Sequence, residues 1–260
     1  MNPKIEFISY RSIDDPKASD RFKTLGEIYP IQLASKMMPD WWKELPEYDE
    51  DITSHFNFTA KKCPGIFDFL RSGYIVPAWS ELRFTYDKNR QDIQWLGASA
   101  LADVGRPFVA HDDKQIKGCP VNHHGAPKIL KLISPWMINV PKGYSVMFLE
   151  PTYSKNNDYT VFPGRLDADI DLIENREINI FIKLNVTDKE VIIEAGTPLI
   201  QIIPFKRENF EYDVRIPTED DERTYKKMWW EPRTHIVKNS LDRPTKMKYN
   251  RDPENKKYGN

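Results

Sequence analysis

The chain has only two cysteines, Cys63 and Cys119, and it has no apolar run close to the length of a membrane-spanning helix. Two cysteines cannot form the disulfide framework of a small secreted domain, so we expect a reducing cytoplasm. A spanning helix needs about 20 consecutive apolar residues. The opening residues, MNPKIEFISY, also lack the apolar core of a secretory signal peptide. We therefore expect a protein that neither spans a membrane nor is secreted through a signal peptide.

Glycine is also scarce, with 11 residues against 20 prolines. This balance favours fixed turns and is typical of a β-rich protein. Apolar residues make up 40% of the chain and aromatic residues 12%, which is enough for a substantial core.

Strand patterns dominate the second half of the chain. Apolar and polar residues alternate over residues 178–184, and a short apolar run covers residues 199–203 after the turn Gly196-Thr197-Pro198. The segment INVPKGYSVMFLEP has two extended parts around a Pro141–Gly143 turn.

Further strands are predicted earlier in the chain. KIEFISY is a candidate strand at the N-terminus, and YIVPAWSELRFTYD is predicted as one strand with a bulge near Ser80. Its hairpin partner is QDIQWLGAS, after a turn at residues 87–89.

Short helices are predicted before this β-rich part. One begins at Pro30, and a second contains Trp41 and Trp42, of which one is expected in a core and the other against a second element or a subunit. The third begins at Pro64 and ends before Gly73, a typical glycine cap.

These patterns predict three segments: residues 1–72 with short helices, a β domain over residues 73–207, and a largely irregular tail over residues 208–260. Residues 223–260 contain eleven Lys or Arg and four Asp or Glu, although the whole chain has a net charge of −1. Such a tail can bind nucleic acid or an acidic protein, but a solvated end is the favoured interpretation. The Trp229–Trp230 pair is predicted to anchor the tail.

The order of motifs in the β domain resembles the trimeric dUTPase and dCTP deaminase superfamily. A P-x-G-Y turn is followed by Asp167 and Asp169 in a D-x-D segment, a strand that ends at Asn185, and the sequence GTPLIQIIP. The resemblance implies a β-clip fold, a distorted β-barrel or sandwich, and a trimer. With KKCPGIFDFLRSGYIVPAW upstream, the chain over about residues 37–230 resembles proteins of tailed phages, including relatives of T4 that infect cyanobacteria.

The same resemblance indicates which catalytic motifs of the family this sequence keeps and which it lacks. Asp167 matches the carboxylate that orients the attacking water, but Ile170 stands where the family has a tyrosine that packs on the pyrimidine. The phosphate-binding Pro-Arg-Ser motif is replaced by Pro151-Thr152-Tyr153-Ser154, and no glycine occurs between Gly196 and Gly259 to form the closing loop. We therefore expect no significant dUTPase or dCTP deaminase activity.

Two groups of residues could in principle hold a metal ion. Asp167, Asp169 and Asp171 would share a face if they lay on one extended strand, although hydrogen bonding to the turn at Pro163-Gly164 is the favoured role. Histidine and cysteine are ligands that zinc prefers, and the candidates are His111, Cys119, His123 and His124. Their spacing matches no familiar zinc module, so we predict no metal site. Gln201 is expected on a buried strand, where its amide needs partners.

The sequence leads to two hypotheses of function from different classes. The favoured one is a non-catalytic phage structural or accessory protein, located in the virion or the host cytoplasm, which assembles with itself or with other phage proteins and needs no cofactor. The aromatic residues Trp41, Trp42, Trp229 and Trp230 are its candidate binding residues. The alternative is a protein that binds or hydrolyses nucleotides, with Asp167 as the catalytic base and Mg²⁺ as the cofactor.

Overall fold

The computed structural model describes residues 3–9, 29–52, 57–96, 108–120, 125–151, 153, 157–170 and 176–230. The chain forms two compact units. The first comprises Met1–Pro39 and Leu70–Arg207, and the second comprises Asp40–Phe69 and Glu208–Asn260.

The first unit contains thirteen described β-strands. Their bounds are β1 Glu6–Ser9, β2 Gln32–Leu33, β3 Tyr74–Pro77, β4 Leu82–Asp87, β5 Asp92–Trp95, β6 Phe108–Asp112, β7 Lys128–Asn139, β8 Tyr144–Leu149, β9 Tyr159–Val161, β10 Gly164–Leu166, β11 Glu177–Leu184, β12 Val191–Ile193 and β13 Pro198–Lys206.

These strands form three antiparallel sheets. The first sheet has the order β1-β7-β11-β9, and β6 also pairs with β7. The second has the order β10-β8-β13-β3-β2, and the third has the order β12-β4-β5. Adjacent segments of the chain therefore often enter different sheets.

The core lies between these sheets, because alternate residues of the strands project into it. On β11 the inward residues are Ile178, Ile180, Ile182 and Leu184, all buried. They belong to one cluster with residues of every sheet, including Val146, Ile202, Trp79, Leu82 and Phe84.

The helices in the described part of the chain are short. Their bounds are α1 Asp40–Glu44, α2 Pro64–Leu70 and α3 Glu219–Trp230, and 3-10 turns cover Ala34–Lys36, Ala60–Lys62 and Asp113–Ile116. In the second unit, the Trp42 ring is stacked on Phe67 with ring centroids 6.2 Å apart. None of the described helices has the length and apolar character needed to cross a membrane.

The predicted mainly β fold with short helices near the N-terminus is confirmed. The strand at KIEFISY, the strand after Gly143 and the hairpin of β4 with β5 are also confirmed. Gly73 has a left-handed backbone with φ +70°, and a Cβ there would lie 2.0 Å from the carbonyl oxygen of Ile202, so glycine is required at this position.

Three predictions were wrong in detail. The segment after Pro30 forms the short strand β2 and a 3-10 turn instead of a helix. The predicted bulged strand YIVPAWSELRFTYD is two strands, β3 and β4, which lie in different sheets. Residues 103–127, expected from the sequence to be the least regular interior part of the chain, contain strand β6.

Helix α3 occupies part of the tail, which was predicted to be largely irregular. Its first turn contains Glu219, Asp220, Asp221 and Glu222, and negative charges there favour a helix through its dipole. The Thr218 side chain accepts a hydrogen bond from the backbone N–H of Asp221 at 3.3 Å, which is a typical N-terminal cap. Residues 231–260 lie outside the described part of the chain.

Candidate functional site

The candidate site lies where three strands of the second sheet meet. Strand β8 pairs with β10 on one side and with β13 on the other. Asp167 and Asp169 directly follow β10, and Arg207 directly follows β13. The sheet therefore brings two carboxylates and a guanidinium together from distant parts of the sequence.

Asp169 binds the end of β13 and the turn before β8. Arg207 Nη1 donates to Asp169 Oδ1 at 2.7 Å, and Arg207 Nη2 donates to Asp169 Oδ2. The backbone N–H of Gly143 also donates to Asp169 Oδ2, at 2.8 Å. A bidentate Arg–carboxylate pair of this kind is geometrically specific.

Asp167 is bound on both of its oxygens. Its Oδ1 accepts from Ser145 Oγ at 2.6 Å and from Arg165 Nε at 2.8 Å, while its Oδ2 accepts from Arg165 Nη2 at 3.2 Å. Arg207 Nη1 lies 3.7 Å from Asp167 Oδ1 and donates to Ser145 Oγ at 3.0 Å. The two aspartates, the two arginines and Ser145 thus form one network, which we call the aspartate–arginine network.

These contacts hold both carboxylates in their charged form. Hydrogen bonds from Arg207 and then from the Gly143 backbone lower the pKa of Asp169 to about 2. Hydrogen bonds from Arg165 and Ser145 lower the pKa of Asp167. A carboxylate with a lowered pKa is a weaker proton acceptor, so the network reduces the basicity of Asp167.

The D-x-D segment is a turn and not the extended strand that a shared cation-binding face would need. The backbone N–H of Ile170 donates to the carbonyl of Asp167 at 3.3 Å, and Ala168 between the two aspartates is buried. Both aspartates were predicted to bond the turn at Pro163-Gly164. Asp169 instead accepts from Gly143 of the Pro141–Gly143 turn, and Asp167 accepts from the side chains of Ser145 and Arg165. Asp171 lies outside the described residues.

The other residues that were compared with the dUTPase family can be located as follows. Ile170 is exposed. Gln201 is buried on β13, and its Nε2 donates to the carbonyl of Ser72 at 2.7 Å, so its amide has the partner that burial requires. Thr152 and Ser154 lie outside the described residues, and Tyr153 is exposed with φ +64°.

The histidine and cysteine candidates are only partly described. His111 lies on β6, with its ring centroid 6.2 Å from that of Phe181, and Cys119 follows the 3-10 turn that ends at Ile116. His123 and His124 lie outside the described residues. Within the described ranges, no group of three or more His, Cys, Asp or Glu side chains is arranged to hold a metal ion.

The candidate tryptophans differ in accessibility. Trp42 is 2% exposed and Trp41 is 37% exposed, and their rings meet edge to face with centroids 5.6 Å apart. Trp229 and Trp230 end helix α3, but their side chains lie outside the described part. A binding role for these four residues stays a prediction.

A second surface was not anticipated from the sequence. Val109 of β6, Lys131 of β7 and Phe181 of β11 lie opposite one another in register, and Ile133 lies opposite Asn179 in the same first sheet. Residues paired in this way project from one face. Since Ile180 and Ile182 face the core, Phe181 and its row project outward. We call Val109, Lys131, Ile133, Asn179 and Phe181 the outer face.

Apolar side chains remain accessible on the outer face. Val109 is 45% exposed and Phe181 is 38% exposed. Lys131 lies between them in register. The chain itself covers part of the same face, since Lys183 in the outward row of β11 is 1% exposed and pairs with Asp113.

Sequence reasoning also missed Arg165 and Arg207. No arginine occupies residues 151–154, where the Pro-Arg-Ser motif was expected, yet Arg165 and Arg207 contact Asp167 from other parts of the chain. The sequence did contain a signal for Arg165. It lies two positions before Asp167, and residues two apart in an extended chain project from the same face. No local signal could have placed Arg207, which is brought to the site by the pairing of β13 with β8.

Comparisons with known proteins gave structural similarities only. No protein-family model matches the sequence, and no curated protein matches it. A mutant dUTPase of Staphylococcus bacteriophage 80alpha with dUpNHpp has 12% identity and a TM-score of 0.31, over 57% of this chain and 89% of that one. A mutant dUTPase from phage phi11 of S. aureus has 11% identity and a TM-score of 0.30, over 73% of this chain and 97% of that one.

Proposed function

We propose that this chain is a non-catalytic assembly protein in which the aspartate–arginine network is structural. The observation that carries the proposal is that both oxygens of Asp167 accept hydrogen bonds from Arg165, and that one of them also accepts from Ser145. A general base must offer a lone pair to a water molecule and take its proton. Asp167 instead links β10 to β8 by accepting hydrogen bonds from Arg165 and Ser145.

The outer face supplies the surface for assembly. Its row of Val109, Lys131 and Phe181 spans three neighbouring strands and is therefore held rigidly. Burying apolar surface contributes roughly 25 cal/mol per Å². A rigid apolar row loses little conformational entropy on binding, which favours association.

The proposed partner is a further copy of the same chain. The sequence resemblance to trimeric proteins implies a trimer, and a closed symmetric assembly would cover the outer face on every copy. The resemblance to tailed-phage proteins further suggests a phage-encoded component of the virion, or a host-cytoplasmic accessory protein. Proteomic mass spectrometry of purified virions would distinguish these two locations.

Assembly is tested by placing a charge on the outer face. Phe181→Glu should shift the protein from an oligomer to a monomer in size-exclusion chromatography with light scattering, because a carboxylate would be desolvated in the contact. The matched control is Ile192→Glu on β12, an exposed strand residue of the third sheet, which should leave the oligomer intact. A parent protein that is monomeric at all concentrations would refute assembly through copies of the chain.

The alternative is nucleotide binding or hydrolysis. The observation that favours it is the presence of two partly exposed arginines, Arg165 and Arg207, beside Asp167, since guanidinium groups bind phosphate well. Assays of pyrophosphate and ammonia release with dUTP, dCTP and Mg²⁺ test it. We expect no turnover for the parent protein. Turnover of about 1 s⁻¹ that is lost in Asp167→Asn would establish the alternative.

A further inference from the structure

The segment between β13 and helix α3 has the residue pattern of a strand but belongs to no described sheet. We call residues 208–217 the arm. Its apolar residues occupy alternate positions: Phe210, Tyr212, Val214 and Ile216 are 84%, 90%, 87% and 87% exposed. The described backbone of the arm contains neither helix, turn nor bend. Because residues two apart in an extended chain project from one side, the arm presents a continuous apolar face.

Both ends of the arm are held by hydrogen bonds. At its start, the backbone N–H of Arg207 donates to the carbonyl of Gly143 at 2.8 Å. At its end, Arg215 Nη2 donates to Asp221 Oδ1, in the first turn of α3, at 3.3 Å. A segment with fixed ends has less conformational entropy to lose when it binds. The arm is therefore prepared for docking.

The apolar area of the arm is large enough for a protein contact. A buried aromatic side chain contributes about 150–250 Å², and the arm carries two aromatic and two aliphatic side chains on one face. Together with the surface that receives it, a docked arm buries roughly 1,000 Å², which is the size that a specific interface needs. An exposed apolar face of this extent marks a site of protein contact.

A further copy of the chain is the occupant that the molecule favours. The outer face exposes less apolar area than the arm, since Val109 and Phe181 are each less than half exposed, so an assembly through the outer face gains from a second contact. Ten extended residues reach roughly 33 Å. A compact unit of about 180 residues, the size of the first unit, has a radius of gyration of about 16 Å. The arm is therefore long enough to reach a neighbouring copy.

We propose that the arm of one copy docks as an added strand on a free sheet edge of the next copy, an inference that rests on the proposed self-assembly. Within the described ranges, β10 and β2 each end the second sheet without a further neighbour, so the chain carries edges that can receive a strand. Backbone pairing supplies affinity, and the alternate apolar side chains supply specificity. In a closed ring each copy donates one arm and receives one, which leaves no arm exposed.

Hydrogen exchange measured by mass spectrometry tests the pairing, because a backbone N–H that enters a sheet exchanges more slowly. In the oligomeric parent protein, the amides of residues 210–216 should exchange at least about tenfold more slowly than in the same protein diluted until it is monomeric. Light scattering at each concentration establishes the oligomeric state.

Two arm variants that each add one carboxylate locate the contact. Tyr212→Asp should raise the dissociation constant of the oligomer at least about tenfold and remove the slow exchange, because it places a charge in the apolar contact. The matched control is Asn209→Asp, at an exposed polar position of the arm, which should leave the dissociation constant within about twofold. Both positions are exposed in the single chain, so circular dichroism should show both variants folded like the parent protein.

Three results would overturn the proposal. The first is an arm whose amides exchange freely in the oligomer. The second is equally slow exchange in the oligomer and the diluted monomer, which would place the arm on its own chain. The third is an equal effect of Tyr212→Asp and Asn209→Asp on dissociation.

Phe181→Glu judges the proposed function separately. An oligomer that Phe181→Glu dissociates but whose arm exchanges freely would support the outer face and refute arm docking. A protected arm in an oligomer that Phe181→Glu leaves intact would support arm docking and refute the outer face. A parent protein that is monomeric at all concentrations would refute both.

Discussion

Arg207 donates to both carboxylate oxygens of Asp169, which lies 38 positions earlier in the chain. The pair connects the end of β13 to the turn after β10, and Gly143 joins it from the turn before β8. A residue that resembles part of a catalytic motif in sequence is thus used to hold three strands together.

The first prediction concerns acid stability. The pKa of Asp169 is lowered to about 2 from 3.8, so its stabilising contribution is present above about pH 4 and is lost as the pH falls towards 2. The lowered pKa of Asp167 acts in the same direction. Thermal unfolding followed by circular dichroism should show Tm falling over this range.

Asp169→Asn provides the comparison for that experiment. It should lower Tm at neutral pH and flatten the dependence of Tm on pH between about 4 and 2, whereas Asp213→Asn, at an exposed position, should change neither. An unaltered acid dependence in Asp169→Asn would contradict the structural role of the pair.

The second prediction compares two glycines with similar backbone angles. Gly73 and Gly143 have φ +70° and +86°. A Cβ on Gly73 would lie 2.0 Å from a backbone carbonyl oxygen, while a Cβ on Gly143 would meet no atom within 4 Å. Gly143→Ala should cost about 1–2 kcal/mol of unfolding free energy from backbone strain alone, and Gly73→Ala should cost more because β13 must shift. Urea denaturation measures both, and equal costs would be inconsistent with the close approach.

The third prediction uses the adjacent tryptophans. Trp42→Ala removes a buried ring that stacks on Phe67 and should cost about 3–5 kcal/mol of unfolding free energy. Trp41→Ala removes a partly exposed ring and should cost clearly less. Limited proteolysis of the second unit, with urea denaturation alongside, checks the order. The reverse order would show that Trp41 carries the packing.

The fourth prediction concerns a charge in the first sheet. Lys183 on β11 is 1% exposed, and its Nζ donates to Asp113 Oδ2 at 3.1 Å. Asp113→Ala should cost about 3 kcal/mol of unfolding free energy, because it removes the charge that compensates a buried ammonium group. Adding Lys183→Met to that variant should recover part of the loss. No recovery in urea denaturation would show that the ion pair is not the cause.

The alternation of apolar and polar residues in the sequence determined the strands of the β domain, because successive residues of a strand project to opposite faces of the sheet. It was sufficient to predict β11, β8 and the hairpin of β4 with β5. Turn chemistry determined Gly73, since only glycine tolerates its left-handed angle so close to β13. The apolar content of the chain was enough to predict a core.

Tertiary structure decided which strands pair and what the polar residues do. YIVPAWSELRFTYD divides between two sheets because pairing depends on distant partners, β13 for β3 and β12 for β4. Arg207 reaches Asp169 only through the pairing of β13 with β8. The exposure of Phe181 depends likewise on what packs over its sheet, and no local pattern contains that information.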